Sequence, residues 1–189
     1  MRPSRPAVME LLATLDVPPE VVSHSERVAG VAMDMARRAM GRDLGVDLWL
    51  VETGSLLHDI GRSRTHSIRH GVEGGSILRD TPVCREMFTG EDVESLARVC
   101  ERHIGGGIPA NRAGEAGLPP GDYVPRTLEE KIITHADNLV WNGVLTFEEG
   151  LEAFARKFGT ESPIFRRISD LGREVERVVG DTVEEDNGT

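Results

Sequence analysis

Two cysteines, Cys84 and Cys100, are all that the 189-residue chain contains. That number excludes a disulfide framework and a four-cysteine zinc site. Both are read as free thiols, with Cys100 on a core face. Long apolar runs are missing too: nothing approaches the roughly 20 residues that cross a bilayer, so no membrane span is expected. The basic stretch Met1-Arg2-Pro3-Ser4-Arg5-Pro6 is followed by no apolar signal core, because Glu10 and Asp16 interrupt it; a cytoplasmic location is expected on these grounds. Positive charge is in deficit, with 22 Lys and Arg against 32 Asp and Glu and a net charge of −10. Duplex binding needs a basic face to displace counterions, so long nucleic acid is not the expected partner. A small anion remains possible where positive charge is local. Among the basic residues only Lys131 and Lys157 are lysines. No alternating strand pattern and no internal repeat are visible.

What is present reads as helix after helix. The length suits one domain with a sizeable core, and 39% hydrophobic with 29% charged residues is ordinary for a globular chain. Helices are predicted at about 7–15, 18–40, 47–60, 68–78, 92–103, 128–141, 146–158 and 163–180. Apolar periodicity carries the second, through Val21, Val28, Val31, Met35 and Ala39. Thr127-x-x-Glu130 and Thr146-x-x-Glu149 are capping boxes that open the sixth and seventh. The fourth holds Gly71, Gly74 and Gly75, which cost helix propensity but allow close backbone approach. The reading is one domain over 1–180, its core at 20–141 and its C-terminal helices at 146–180, with a disordered acidic tail at 181–189. Residues 104–126 form a long loop rich in Gly and Pro, including Gly105-Gly106-Gly107. Such loops are functional or simply mobile, so a lid and a plain connector both stand.

The informative step is to find polar residues on apolar faces. His24 shares the stripe of Val21, Val28 and Val31. His103 follows Val93, Leu96 and Cys100 at spacings of three, four and three. Asp137 lies between Ile133 and Val140. His58 and Asp59 end an apolar helix after Leu56-Leu57, and His70 shares a face with Gly74 and Ile77. A buried carboxylate without a partner is costly. A divalent cation resolves that cost for Asp59 and Asp137 together, and imidazole with carboxylate suits first-row transition metals without selecting among Mn, Fe, Co, Ni and Zn. Adjacent helical residues point about 100° apart, so His58 and Asp59 reach one ion only near a helix end, which Gly61 supplies. His66, four before His70, is an alternative to it. His135, two before Asp137, faces elsewhere and is read as core or surface.

The ordered set His24, His58-Asp59, His70, His103 and Asp137, with Leu56-Leu57-His58-Asp59-Ile60-Gly61 and Ala136-Asp137-Asn138, resembles the HD superfamily of metal-dependent phosphohydrolases in its HDIG form. The likeness covers about residues 20–141. The run from His58 to Gly75, with Glu101-Arg102-His103-Ile104-Gly105, is similar to an archaeal group of HDIG proteins, and more distantly to bacterial HD-type hydrolases of diadenosine tetraphosphate. The resemblance implies an all-α bundle of about seven to eight helices. It implies a first metal on His24, His58, Asp59 and Asp137, and a second on His70 and His103 with Asp59 bridging, so one or two divalent ions.

The activity so implied is cleavage of a phosphomonoester, phosphodiester or phosphoanhydride of a nucleotide or similar small molecule by metal-activated water, with Asp59 positioning the water or taking its proton. The turn Gly61-Arg62-Ser63-Arg64-Thr65-His66-Ser67-Ile68-Arg69 holds three arginines and no acid in an acidic protein, and guanidinium groups suit phosphate. Arg62 and Arg64 are therefore candidate phosphate contacts, Lys131 is a third, and Arg102 is a weaker one. Two other readings stay open: a non-catalytic nucleotide-binding or regulatory HD domain, and an HD-fold di-iron oxygenase. Residues 142–189 receive no functional role, and the oligomeric state is not specified.

Overall fold

Helix α3 (Leu48–Leu57) has no solvent face along its second half: Val51, Thr53, Gly54, Ser55, Leu56 and Leu57 are all buried. A helix apolar on every side belongs in the middle of a bundle. In the computed structural model, which describes residues 2–180, α3 is packed by α1 (Arg5–Thr14), α2 (Pro19–Met40), α6 (Gly90–Arg102) and α8 (Leu128–Leu139). The remaining helices are α4 (His70–Asp80), α5 (Pro82–Met87), α7 (Ala110–Ala113), α9 (Phe147–Phe158) and α10 (Pro163–Val179). The described residues contain no strand, only the isolated bridges Ile108–Tyr123 and Val140–Val144. The fold is all-α, as expected, and its eight helices of ten residues or more are the eight read from the periodicity. The expectation for 181–189 lies outside the described residues. None of the described helices is long and apolar enough to cross a membrane.

Two apolar clusters flank α3. One joins Leu11 and Leu12 to Leu56, Leu57, Leu78 and Leu96. The other joins Val28 and Met35 to Val51, Ile132, Ile133 and Val175. Each such buried side chain contributes roughly 1.5–3 kcal/mol relative to exposure. Both clusters pin the ends of the helices that carry the polar residues singled out above. The glycines of α4 serve close packing on α6: a Cβ on Gly71 would stand 2.7 Å from the Cys100 carbonyl oxygen, and one on Gly74 3.0 Å from the Cys100 Cβ.

Four local expectations are corrected. α3 stops at Leu57 rather than at Ile60, and Ile60–Ser63 is a separate 3-10 turn. Pro82, at the first position of a helix preceded by Thr81, opens α5, which the glycine-rich pattern before it had masked. The segment 104–126 is not structureless. It is tied by the Ile108–Tyr123 bridge, carries α7, and has its own small core of Ile108, Ala113, Leu118 and Tyr123. At α8 only half of the capping box forms: Thr127 accepts from the Glu130 amide, but the Glu130 carboxylate turns to the Arg126 amide at 2.7 Å and to Arg102 at 3.0 Å. The box at Thr146 and Glu149 is complete.

Candidate metal centre

The break after α3 lets neighbouring residues point the same way. His58 caps the helix, and Asp59 leaves helical geometry at φ −102° and ψ 13°. The 100° divergence of a continuing helix is thereby lost. Four other elements bring their residues to the same place: His24 from the second turn of α2, His70 from the first position of α4, His103 from the cap of α6, and Asp137 from the last turn of α8. All six residues read as ligands therefore converge. His24 Nε2 lies 2.9 Å from Asp137 Oδ1, and His58 Nε2 lies 3.5 Å from that oxygen and 3.7 Å from Asp59 Oδ2. Asp59 Oδ1 is 3.1 Å from His70 Nε2 and 3.5 Å from His103 Nε2.

Three imidazoles are oriented by the same device. The Nδ1 atoms of His58, His70 and His103 each sit 2.7 Å from the main-chain carbonyl three residues earlier, those of Ser55, Ser67 and Cys100. A carbonyl only accepts, so each Nδ1 carries a proton and donates it. In the neutral ring Nε2 is then left as a lone pair. These lone pairs face inward with two carboxylates. His70 and His103 oppose Nε2 to Nε2 at 3.0 Å, an arrangement that needs positive charge beside it. His58 Nε2 and Asp59 Oδ1 are buried and have no hydrogen-bond partner among the described residues. Orphaned polar atoms in a buried cluster of imidazoles and carboxylates are what a bound ion satisfies, and the donor set fits a divalent transition metal. Among the described residues, two groups bring their ligand atoms within 4.8 Å of one another, as holding an ion requires: His24, His58 and Asp137, and His58, Asp59 and His103.

The electrostatics agree. Burial pulls His58 down, yet Asp59 and then Asp137 outweigh it and push the ring up to about 9. Burial would raise the two carboxyls, but His58 for Asp59, and His24 for Asp137, hold them well below the usual carboxylate range. His103 is lowered, chiefly by burial. A raised histidine contributes stability that is complete below its unfolded value of 6.5 and is lost as pH rises through about 9. In chelator, the thermal midpoint is therefore expected to fall between those limits. A metal ion takes the place of the His58 proton, so with metal in excess the decline should vanish. Parallel melts with and without chelator measure this, and identical pH profiles would contradict it.

The other candidates separate. His66 is exposed whereas His70 is buried, which decides between them in favour of His70. His135 is buried and bonds to Glu176 at 2.9 Å, away from the cluster. Arg62 Nε donates to Asp59 Oδ2 at 2.6 Å and lines the adjoining cavity. Arg64 is not brought there; it is exposed and reaches Glu73 at 3.4 Å. Lys131 is not brought there either, because its ammonium pairs with Glu174 at 2.7 Å. Arg102 is held by Glu130.

The cluster opens into a cavity of about 900 Å³. His24, Asp59 and Asp137 lie on one wall, and Phe154, Phe158, Ile164 and Arg167 on another. Sequence reasoning missed that second wall altogether. α9 and α10 look like ordinary amphipathic helices, and only their packing against α8 brings them to the site.

The HD domain family model matches residues 21–142. A relative from Methanocaldococcus jannaschii, named uncharacterized protein MJ0778, is 43% identical over 160 residues, 84% of this chain and 89% of its own. Two tRNA (cytidine(56)-2'-O)-methyltransferases also match. That of Picrophilus torridus is 35% identical over 161 residues, 85% of this chain and 42% of its own. That of Thermoplasma volcanium is 34% identical over 184 residues, 97% and 50% respectively. The chain thus spans half or less of those two methyltransferases. No solved structure matches. With its His-Asp pair, its inward-facing histidines and this match over most of its length, the chain belongs to the HD domain family.

Proposed function

We propose that the protein is a metal-dependent phosphohydrolase that cleaves a phosphate ester or phosphoanhydride of a small molecule of nucleotide size. One observation carries the reading: the histidine and carboxylate cluster presents His24, Asp59 and Asp137 on the wall of a cavity whose other charges are mainly cationic. Arg62, Arg112, Lys157 and Arg167 line it, and among the described residues its only acids are Asp59 and Asp137 of the cluster and Glu115, which is paired with Arg112. In a protein of net charge −10, such local reversal selects anions. The volume lies within the range of small-ligand sites.

In this reading His24, His58, Asp59, His70, His103 and Asp137 hold one or two divalent ions. Bound there, such ions activate water and neutralise charge on phosphate oxygens. Asp59 is the catalytic carboxylate: as a ligand beside the attacking water it would position that water. Arg62, fixed against Asp59 Oδ2, presents its remaining N–H groups to the cavity for a phosphate oxygen. The aromatic side chains of Trp141, Phe154 and Phe158 suit a base or another flat body. A screen of phosphorylated metabolites with metal-reconstituted protein, beside elemental analysis, tests the reading. Metal retention with no hydrolysis of any member would leave a binding domain instead. Iron with substrate-dependent oxygen uptake would leave an oxygenase.

Within this site Arg62→Ala is expected to raise KM for the active ester by about tenfold, the cost of one charge-assisted bond. Lys131→Ala, whose partner is Glu174, should leave kcat and KM unchanged. Equal KM values for wild type and Arg62→Ala would remove Arg62 from the site.

A further inference from the structure

The second wall of the cavity carries a cation that the metal cluster does not engage. Arg62 gives its Nε to Asp59, Arg112 pairs with Glu115 at 2.5 Å, and the Lys157 ammonium stands over the rings of Trp141 and Phe158, 5.8 Å and 5.2 Å from their centroids. Arg167, on α10, lines the same cavity and has no carboxylate partner among the described residues. Its guanidinium is nevertheless held in place: Nε donates to the Gly107 carbonyl at 2.9 Å. The glycine turn after His103 makes that bond possible. A Cβ on Gly106 would lie 2.4 Å from the carbonyl carbon of Arg167 and 2.5 Å from the amide nitrogen of Ile168, and Gly107 has a φ of +85°. The main chain of this turn therefore lies directly on α10, and Arg167 keeps its outer N–H groups unassigned. Burial, and then Arg112, hold Arg167 below the ordinary arginine value, as expected of a cation without a counter-charge.

Around Arg167 the wall is apolar, with Phe154, Phe158, Ile164 and Ile168. Three of the six exposed large hydrophobic side chains among the described residues lie at the same place: Ile68, Trp141 and Ile164 are 39%, 40% and 41% exposed and line the cavity. Apolar surface left open around a concave site marks a ligand surface.

We propose that the cavity selects a doubly anionic substrate with an apolar body, its reacting phosphate at the wall of His24, Asp59 and Asp137 and its second anionic group, a phosphate or a carboxylate, on Arg167. The proposal rests on the phosphohydrolase reading for the first anion only. Arg167 is the specificity residue, and the Gly105-Gly106-Gly107 turn sets its fork. Two parallel N–H donors match the oxygens of either anion.

The test uses α,ω-alkane bisphosphonates from propane to octane and the matching alkyl monophosphonates, none of which can be hydrolysed. Each is titrated calorimetrically into the metal-reconstituted full chain. Wild type is expected to bind the best-fitting bisphosphonate about tenfold or more tightly than its monophosphonate, the effect of one charged hydrogen-bonded pair. Arg167→Gln should bring that ratio close to one. Arg167→Lys, which keeps the charge without the fork, should give an intermediate ratio. A matching series of phosphonocarboxylates separates carboxylate from phosphate as the second group. No preference at any length overturns the proposal, and so does a wild-type ratio in either variant. The ratio, unlike a melting temperature, does not move if Arg167 merely braces the glycine turn. Binding is read without turnover, so absence of phosphatase activity leaves this result standing. Hydrolysis with no Arg167-dependent preference removes the Arg167 assignment alone.

Discussion

Asp59→Ala is expected to purify with little or no bound metal and to lose hydrolysis by at least about a thousandfold. Even partners one step removed from a metal cost 10–100-fold when deleted, and this carboxylate stands among the ligands themselves. Among the described residues its Oδ1 is buried without a hydrogen-bond donor, 3.1 Å from His70 Nε2 and 3.5 Å from His103 Nε2. Its Oδ2 reaches Arg62 at 2.6 Å and faces His58 at 3.7 Å. Without it, Arg62 loses its partner and the cluster keeps only Asp137 as an acid, so the local field turns against a dication. Asp59→Asn should behave similarly in activity while keeping the shape, which separates charge from packing. Elemental analysis and turnover of the active ester read the outcome. A fully metal-loaded alanine variant with wild-type turnover would sink both the metal assignment and the catalytic one.

Gly61→Ala should lower the thermal midpoint by roughly 10 °C, corresponding to about 3 kcal/mol in a chain of this length. The added Cβ would lie 2.0 Å from the His70 carbonyl oxygen and 2.6 Å from the Gly74 amide nitrogen. Both are main-chain atoms of α4 and cannot swing aside as a side chain would. The 3-10 turn and α4 must then separate, which also draws the His70 ring off the cluster. Loss of metal capacity is therefore expected along with the loss of stability, the share that depends on His70 going first. Gly45→Ala, where a Cβ would meet nothing within 4 Å, is the control and should melt as wild type does. Equal midpoints for the two variants would contradict the close approach.

How much of this was readable beforehand depended on how local each signal was. His24, His103 and Asp137 stood out because helical period alone places them on apolar stripes, and a polar group there demands a partner. The reach of His58 and Asp59 was readable in kind but not in place, since the break comes at His58 and not at Gly61. Lys131 was a misreading that the same period corrects: six positions before Asp137 is about 240° around the helix, the side that meets Glu174. Arg62 and Arg64 looked equivalent by proximity to Asp59. Only the 3-10 turn distinguishes them, bringing Arg62 back onto Asp59 and sending Arg64 to Glu73. Arg167 had no sequence signal of its own. The three glycines after His103 read only as part of a lid or a connector; that they lie against α10 is decided by the packing of α10 against α8, and no periodicity encodes that.

The clasps on His58, His70 and His103 have a consequence for how this site can change. Each ring is steered by a main-chain oxygen belonging to its own turn, whereas a ring steered by a neighbouring acid needs that acid to be kept. No codon change at Ser55, Ser67 or Cys100 deletes a carbonyl. The choice of tautomer is thus inherited from the path of the chain, and the surrounding side chains are free to diverge or to be redesigned while the rings keep their aim.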